Sequence, residues 1–102
     1  MDQAKVRAAV LDSFKEIQTM SGRPWVDLSD KSRPIGALPG FDSPNGVEIC
    51  CLIEEKLNCE IPDDENLCVE DLPKGRRRGR SLKEIVQAVS EIIEAQEQGA
   101  KV

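Results

Sequence analysis

The chain contains no histidine, and aromatic residues make up only 3% of it: Phe14, Trp25 and Phe41. Histidine is the usual general base near neutral pH and the commonest metal ligand, so both are missing. Ser–His and Cys–His nucleophile pairs cannot be assembled within such a chain. These absences argue against an enzyme with an active site of its own. The scarcity of aromatic rings predicts a core of Val, Ile, Leu and Ala, which suits packed helices.

Long apolar segments are missing as well. No apolar run approaches the roughly 20 residues that are needed to cross a bilayer. The first ten residues, MDQAKVRAAV, lack the continuous apolar stretch of a secretory signal. We therefore expect a cytoplasmic protein without a membrane span. A chain of 102 residues is long enough for one compact domain and too short for two, so residues 1–102 are expected to form a single, monomeric domain.

Acidic residues outnumber basic ones. There are 19 Asp and Glu against 14 Lys and Arg, which gives a formal net charge of -5. A negatively charged protein repels the phosphate backbone of nucleic acids, whereas it attracts a basic face on another protein. The charge balance therefore favours protein partners over nucleic acid.

The four cysteines, Cys50, Cys51, Cys59 and Cys68, lack a metal-binding spacing. They contain no CxxC pair, and without histidine they make a poor zinc site. We expect no metal, and reduced thiols that pack as small hydrophobic side chains. Cys51 is expected to be exposed, whereas Cys59 and Cys68 should line the core or be partly buried.

Apolar residues recur at steps of three and four in three segments, which is typical of amphipathic helices. Helices are predicted over residues 2–20, 43–57 and 81–97. The second has Ser43 as its N-cap and Pro44 at its first helical position, and the last opens with SLKE, a capping box. The residues expected to face the core are Val6, Val10, Phe14 and Ile17, then Ile49, Cys50, Ile53 and Leu57, and finally Leu82, Ile85, Val86, Val89, Ile92 and Ile93.

The segments between these helices show no clear strand pattern. Residues 21–42 form a long connection rich in Pro and Gly, which a small domain must pin down. Pro62 and the acidic run after it predict a short helix over 63–69, and the sequence LPKGRRRGR predicts an exposed loop. The predicted fold is therefore all-α, a bundle of three long helices and one short helix. The apolar residues available to pin the long connection are Trp25, Val26, Leu28, Ile35 and Leu38.

The stretch from Gly40 to Val69 reads GFDSPNGVEICCLIEEKLNCEIPDDENLCV. It resembles the acyl carrier proteins of fatty acid, polyketide and related pathways. Their hallmark is a G-x-D-S-L turn, then a helix with V-E and a cluster of acids, then E-I-P-D and a short helix. Pro44 departs from the leucine that normally follows the serine. The matching residues are Gly40-Phe41-Asp42-Ser43 in the turn, Val47-Glu48 and Glu54-Glu55 in the helix, and Glu60-Ile61-Pro62-Asp63 in the next connection.

The resemblance implies that a phosphopantetheinyl transferase attaches 4'-phosphopantetheine from coenzyme A to Ser43. The thiol of this arm would then carry an acyl or aminoacyl group as a thioester. Asp42 would help to hold magnesium during attachment. A hydroxyl at a helix N-terminus suits this role, because the N–H groups and the helix dipole there favour a phosphate. The further partners would be acyl-transfer or acyl-activating enzymes of a fatty acid, polyketide or related specialised pathway.

The resemblance also implies that partner enzymes press a basic patch against the second helix. Exposed charges of this kind contribute little energy per pair, but they steer the encounter. Taken singly, the glutamates are more typical of a solvated helix face than of a docking site, whereas the set below Ser43 is as typical of docking as of solvation. The candidate docking residues are Pro44, Val47, Glu48, Cys51, Glu54 and Glu55.

Two other functions stay open from the sequence. The same bundle without an arm would be a docking adaptor, and Pro44 supports this because partners usually contact the leucine that it replaces. The arginines Arg76, Arg77, Arg78 and Arg80 could bind a phosphate, an acidic lipid surface or RNA. GRRRGRSLKEIVQAV would then be the basic entry to a nucleic-acid-binding helix. The net charge of -5 opposes that hypothesis and favours a solvated loop.

Overall fold

Three long helices, one helical turn and a two-stranded hairpin make up the described part of the chain. The computed structural model describes residues 2–62 and 66–99, and of Ser43 it describes the backbone only. In chain order the elements are helix α1 (Gln3–Met20), the turn α2 (Pro34–Ala37), helix α3 (Ser43–Leu57), strand β1 (Val69–Asp71), a 3-10 turn (Pro73–Gly75), strand β2 (Arg77–Gly79) and helix α4 (Leu82–Gly99).

The three long helices confirm the predictions made from apolar spacing. α3 has the predicted bounds, α1 and α4 begin one residue later than predicted, and the predicted core residues are buried except Ile92, which is half-buried. At the start of α4, the backbone N–H of Ser81 donates to Oε1 of Glu84 at 2.9 Å, and the N–H of Glu84 donates to Oγ of Ser81 at 3.2 Å. These hydrogen bonds lower the pKa of the Glu84 carboxyl, because they favour its charged form. The predicted capping box is therefore present.

The core lies where α1 packs against both α3 and α4. Phe14 on α1 and Phe41, two residues before α3, meet edge to face with ring centroids 5.2 Å apart and an interplanar angle of 63°. Aromatic pairs prefer this geometry over face-to-face stacking. Because both rings are buried, their contact fixes the start of α3 against α1.

The long connection between α1 and α3 is held by buried contacts. Gln18 is fully buried, and its Nε2 donates to the backbone oxygens of Pro24 at 3.0 Å and Pro39 at 2.9 Å. One side chain of α1 thereby fixes both ends of the connection. Of the apolar residues predicted to pin it, Leu28 and Leu38 are buried, Trp25 and Ile35 pack against the core, and Val26 is 42% exposed.

A hairpin overturns the predicted all-α fold. Of the predicted short helix over 63–69, residues 63–65 lie outside the described residues, residues 67–68 form a turn, and Val69 begins strand β1. The basic segment predicted as a loop contains strand β2, which runs antiparallel to β1. The prediction was therefore wrong: the described chain is largely helical, but it includes a small antiparallel sheet.

Charge pairing across the strands explains why this sequence forms a hairpin. Glu70 lies opposite Arg78 and Asp71 opposite Arg77. Nε of Arg77 lies 3.2 Å from Oδ1 of Asp71, and Nε of Arg78 donates to Oε2 of Glu70 at 3.0 Å. Nη2 of Arg78 also donates to Oε2 of Glu84 on α4 at 3.0 Å. Opposite charges that face each other across an antiparallel pair stabilise it, and Arg78 joins the hairpin to α4 as well.

Candidate functional site

Helix α3 begins at the serine that the sequence singled out. Ser43 is its first helical residue and Pro44 its second, while Asp42, with extended backbone angles, is the N-cap. The prediction that Ser43 is the N-cap was therefore wrong by one residue, and Asp is as good a cap as Ser. Proline is tolerated in the first helical turn, where its missing N–H removes no helical hydrogen bond.

Asp42 and Asn45 bond to each other across the first turn of α3. The backbone N–H of Asp42 donates to Oδ1 of Asn45 at 3.3 Å, and the N–H of Asn45 donates to the backbone oxygen of Asp42 at 3.1 Å. Nδ2 of Asn45 donates to Oε1 of Glu48 at 3.0 Å. Sequence reasoning missed the buried Asn45, although a polar residue three positions after a cap is the signal for such a reciprocal bond.

Arg23 joins the connection after α1 to the start of α3. Its Nη1 donates to the backbone oxygen of Gly40 and lies 3.4 Å from Oδ1 of Asn45. Gly40 has a φ of 72°, in the region that favours glycine, and a Cβ there would lie 2.5 Å from Cδ of Arg23. Gly40 therefore allows both the turn and the approach of Arg23. No local pattern marks Arg23, because its partners lie 17 and 22 residues away.

Gly46 allows the segment before the hairpin to lie against α3. A Cβ at Gly46 would lie 2.3 Å from Oδ1 of Asn66, so only a residue without a side chain leaves this space free. The same oxygen accepts the backbone N–H of Cys68 at 3.1 Å. Close packing against Asn66 therefore explains a glycine that helix propensity disfavours.

The outward face of α3 brings together most of the predicted docking residues. Pro44, Val47, Glu48, Cys51 and Glu55 are all exposed, and Val47 is 56% exposed although it is apolar. Their spacing of three and four places them on one side of the helix. The result is an apolar strip with carboxylates along one side.

No cation of α3 lies on that face. Lys56, the basic residue of this helix, is turned toward α1, where its Nζ lies 2.9 Å from Oε2 of Glu16. The hydrogen bond to Glu16 raises the pKa of the Lys56 ammonium. The outward face therefore presents only negative charge.

Glu54 lies apart from the other docking residues, half-buried at a groove between the end of α3 and α4. The groove has a volume of about 690 Å³. Gln96 on α4 lines it and bonds the backbone of Glu60 twice, accepting the N–H at 3.1 Å and donating to the carbonyl oxygen. The other residues that line it are Glu60, Ile61, Pro62, Ile92 and Ala95.

The cysteines follow the predicted division between surface and core. Cys51 is exposed, Cys59 is half-buried, and Cys50 and Cys68 are buried. Burial raises the pKa of the Cys68 thiol to about 12 and also raises the pKa of Cys59. Cys68 is therefore an inert core thiol at neutral pH. Within residues 2–62 and 66–99, no group of three or more Cys, Asp or Glu side chains is arranged to hold a metal ion.

None of the described helices is long and apolar enough to cross a membrane. Comparisons of the chain with models of known protein families, with curated proteins and with solved structures gave no match.

Proposed function

We propose that the chain is a carrier of acyl or aminoacyl groups, held as thioesters on a 4'-phosphopantetheine arm attached to Ser43. One observation carries the proposal. The serine of the carrier-like GFDS turn is the first residue of a helix whose outward face combines an apolar strip with carboxylates along one side. The carrier would deliver its cargo to partner enzymes of a fatty acid, polyketide or related specialised pathway, and it would have no catalytic activity itself.

The local structure suits a phosphodiester on Ser43. The first turn of a helix offers N–H groups and the positive end of the helix dipole to an anion. Pro44 contributes no N–H, so one potential donor is missing from this turn. Asp42 is exposed, which would leave its carboxylate open to magnesium during attachment. Bonds between Asp42, Asn45 and Arg23 hold the root of the arm in place.

The outward face of α3 would dock the transferase and the enzymes that load and unload the arm. Its negative charge is complementary to a basic patch, and exposed Val47 and Cys51 offer a small apolar contact at its centre. Exposed charges of this kind speed the encounter more than they tighten the complex. Weak and fast docking suits a carrier that visits several enzymes. Such a carrier would work as a monomer in the cytoplasm.

The alternative is an adaptor with the same fold and no arm. Two departures from the carrier pattern favour it: Pro44 replaces the usual leucine, and a hairpin follows the E-I-P-D connection where the resemblance implies a short helix. In that case the outward face of α3 would still bind a partner, and the hydroxyl of Ser43 would have no chemical role.

Intact mass separates the two functions. The protein is incubated with coenzyme A, magnesium and a broad-specificity phosphopantetheinyl transferase, and it should gain the mass of one arm. Ser43→Ala should gain nothing, whereas Ser21→Ala, which removes an exposed hydroxyl just after α1, should be modified like the wild type. Pro44→Leu should be modified faster than the wild type if Pro44 weakens recognition of the turn by the transferase.

The protein isolated from its native host should carry the same added mass. No gain of mass with several transferases, together with an unmodified native protein, would sink the carrier proposal. A partner that binds Ser43→Ala as tightly as the wild type would then support the adaptor.

A further inference from the structure

The loop between the two strands holds a lysine in a conformation that lysine disfavours. Lys74 has a φ of 65° and Gly75 a φ of 73°, both in the left-handed region. The backbone N–H of Leu72 donates to the oxygen of Arg76 at 2.8 Å and closes the loop. Left-handed angles are unfavourable for a residue with a side chain, because its Cβ comes too close to the following carbonyl oxygen. Hairpin turns of this kind favour Asn, Asp or Gly. The chain therefore keeps a lysine where asparagine or glycine would fit the backbone better.

Positive charge is concentrated at this end of the hairpin. Lys74 and Arg76 are exposed, and neither makes an ion pair with the described residues. The neighbouring Arg77 pairs with Asp71, but the two side chains are 68% and 83% exposed, so water and salt screen this pair. We name Lys74, Arg76 and Arg77 the basic tip.

The other end of the hairpin is tied to the body of the protein. Arg78 bonds Glu70 on β1 and Glu84 on α4. Nη1 of Arg33, from the connection before α2, donates to the backbone oxygen of Gly79. The backbone N–H of Arg80 donates to the oxygen of the buried Cys68 at 2.8 Å. The basic tip is thus held on a fixed base, which lowers the entropy that a partner would lose by ordering it.

We propose that the basic tip is a docking site for a short acidic segment on the surface of a partner protein. The strained lysine is the feature that points to binding, because strain of this kind persists where function requires it. Lys74, Arg76 and Arg77 offer three cations within four residues, and among the described residues their one ion pair is that of Arg77 with Asp71. A compact cluster of carboxylates matches that pattern.

An extended polyanion fits this surface less well. The whole chain carries a net charge of -5, and the exposed sides of α3 and α4 carry glutamates. A nucleic acid or a charged membrane extends over tens of ångströms, so it would meet these acids as well as the basic tip. A short protein segment can contact the tip alone, because salt screens charges beyond about 8 Å at physiological ionic strength. The tip does not depend on the arm, so this proposal stands apart from the proposed function.

A titration with three probes tests the basic tip. The amide resonances of the full chain are followed by NMR as one of three probes is added. The probes are a short oligoglutamate peptide, a single-stranded RNA oligonucleotide, and vesicles of phosphatidylcholine with phosphatidylglycerol. The peptide should shift the amides of residues 73–77 and bind more weakly as salt is raised. Lys74→Glu with Arg76→Glu should weaken peptide binding by at least about tenfold, since two attractions are replaced by repulsion between like charges. The matched control, Lys5→Glu with Lys31→Glu, makes the same change of net charge at exposed sites elsewhere.

Lys74→Asn separates a binding role from a structural one. Asparagine favours the left-handed angles, so this variant should be at least as stable to urea as the wild type and yet bind the peptide more weakly. Three results would each overturn the proposal. The peptide could shift amides that do not centre on the basic tip, the control pair could weaken peptide binding as much as the charge reversal at the tip, or Lys74→Asn could bind the peptide as tightly as the wild type. Tighter binding of RNA or vesicles than of the peptide would overturn it in favour of that polyanion. Ser43→Ala should bind the peptide like the wild type.

Discussion

At the scale of single residues, Gly46 illustrates how a distant contact decides the identity of a helical residue. Helix propensity alone makes glycine the wrong choice in the first turn of α3. Its missing side chain provides the space that Asn66 occupies, and Asn66 in turn bonds the backbone at Cys68. The residue therefore serves the contact between α3 and the chain that leads into the hairpin.

Gly46→Ala should lower the free energy of unfolding, although alanine is the better helix former. The new Cβ would lie 2.3 Å from Oδ1 of Asn66 and displace it. We expect a net loss of about 1 kcal/mol, at the lower end of the cost of overpacking, measured by urea denaturation. In an Asn66→Ala background the space is free, so the same substitution should instead stabilise the protein by up to about 1 kcal/mol. Stabilisation in both backgrounds would contradict the packing role of Gly46.

At the scale of elements, the three long helices could be predicted because each repeats its apolar pattern over four or five turns. The face of α3 that runs through Val47 and Cys51 follows from the same periodicity, so most of the candidate docking face was predictable too. The sequence predicted Ser43 as the N-cap, whereas the structure has Asp42 in that position. Both residue types are good caps, and only the reciprocal bond with Asn45 distinguishes them.

The hairpin could not be predicted from apolar periodicity, because each strand has only three residues and little of it is buried. Its signal lies in the charges, because each acid of β1 has an arginine of β2 equally many residues away on the other side of Lys74. The pairs are Glu70 with Arg78 and Asp71 with Arg77. Arg23 was beyond sequence reasoning for a different reason. It acts on the start of α3 through partners far along the chain.

Arg78→Ala should loosen the hairpin without unfolding the bundle. Arg78 contacts both Glu70 on the opposite strand and Glu84 on α4. Its loss removes the side-chain link of β2 to α4 and leaves Arg77–Asp71 as the ion pair between the strands. Hydrogen exchange should become faster for the amides of Leu72 and Arg80 and stay unchanged in α1. Arg76→Ala is the matched control and should leave exchange in the hairpin as it is. Equal effects of the two variants would mean that bulk charge, and not the Arg78 bonds, holds the hairpin.

At the scale of the whole molecule, charge is segregated over a body that measures 43 × 34 × 23 Å. The outward face of α3 is acidic, and the basic tip lies at the end of the hairpin. These dimensions exceed several-fold the screening length of about 8 Å in physiological salt. Each surface therefore acts locally on a partner that is small enough to contact it alone.

Local action of the α3 face leads to a prediction for attachment of the arm, which rests on the carrier function. Glu48→Lys with Glu55→Lys should slow modification by a phosphopantetheinyl transferase at least about tenfold at low salt, because steering by complementary charge is lost. The rate for the wild type should fall as salt is raised, whereas the rate for this variant should change little. Glu91→Lys with Glu94→Lys makes the same change of net charge on exposed positions of α4 and should be modified at close to the wild-type rate. Equal slowing of both variants would mean that the transferase senses overall charge, and the acidic face of α3 would then lose its role as the docking surface.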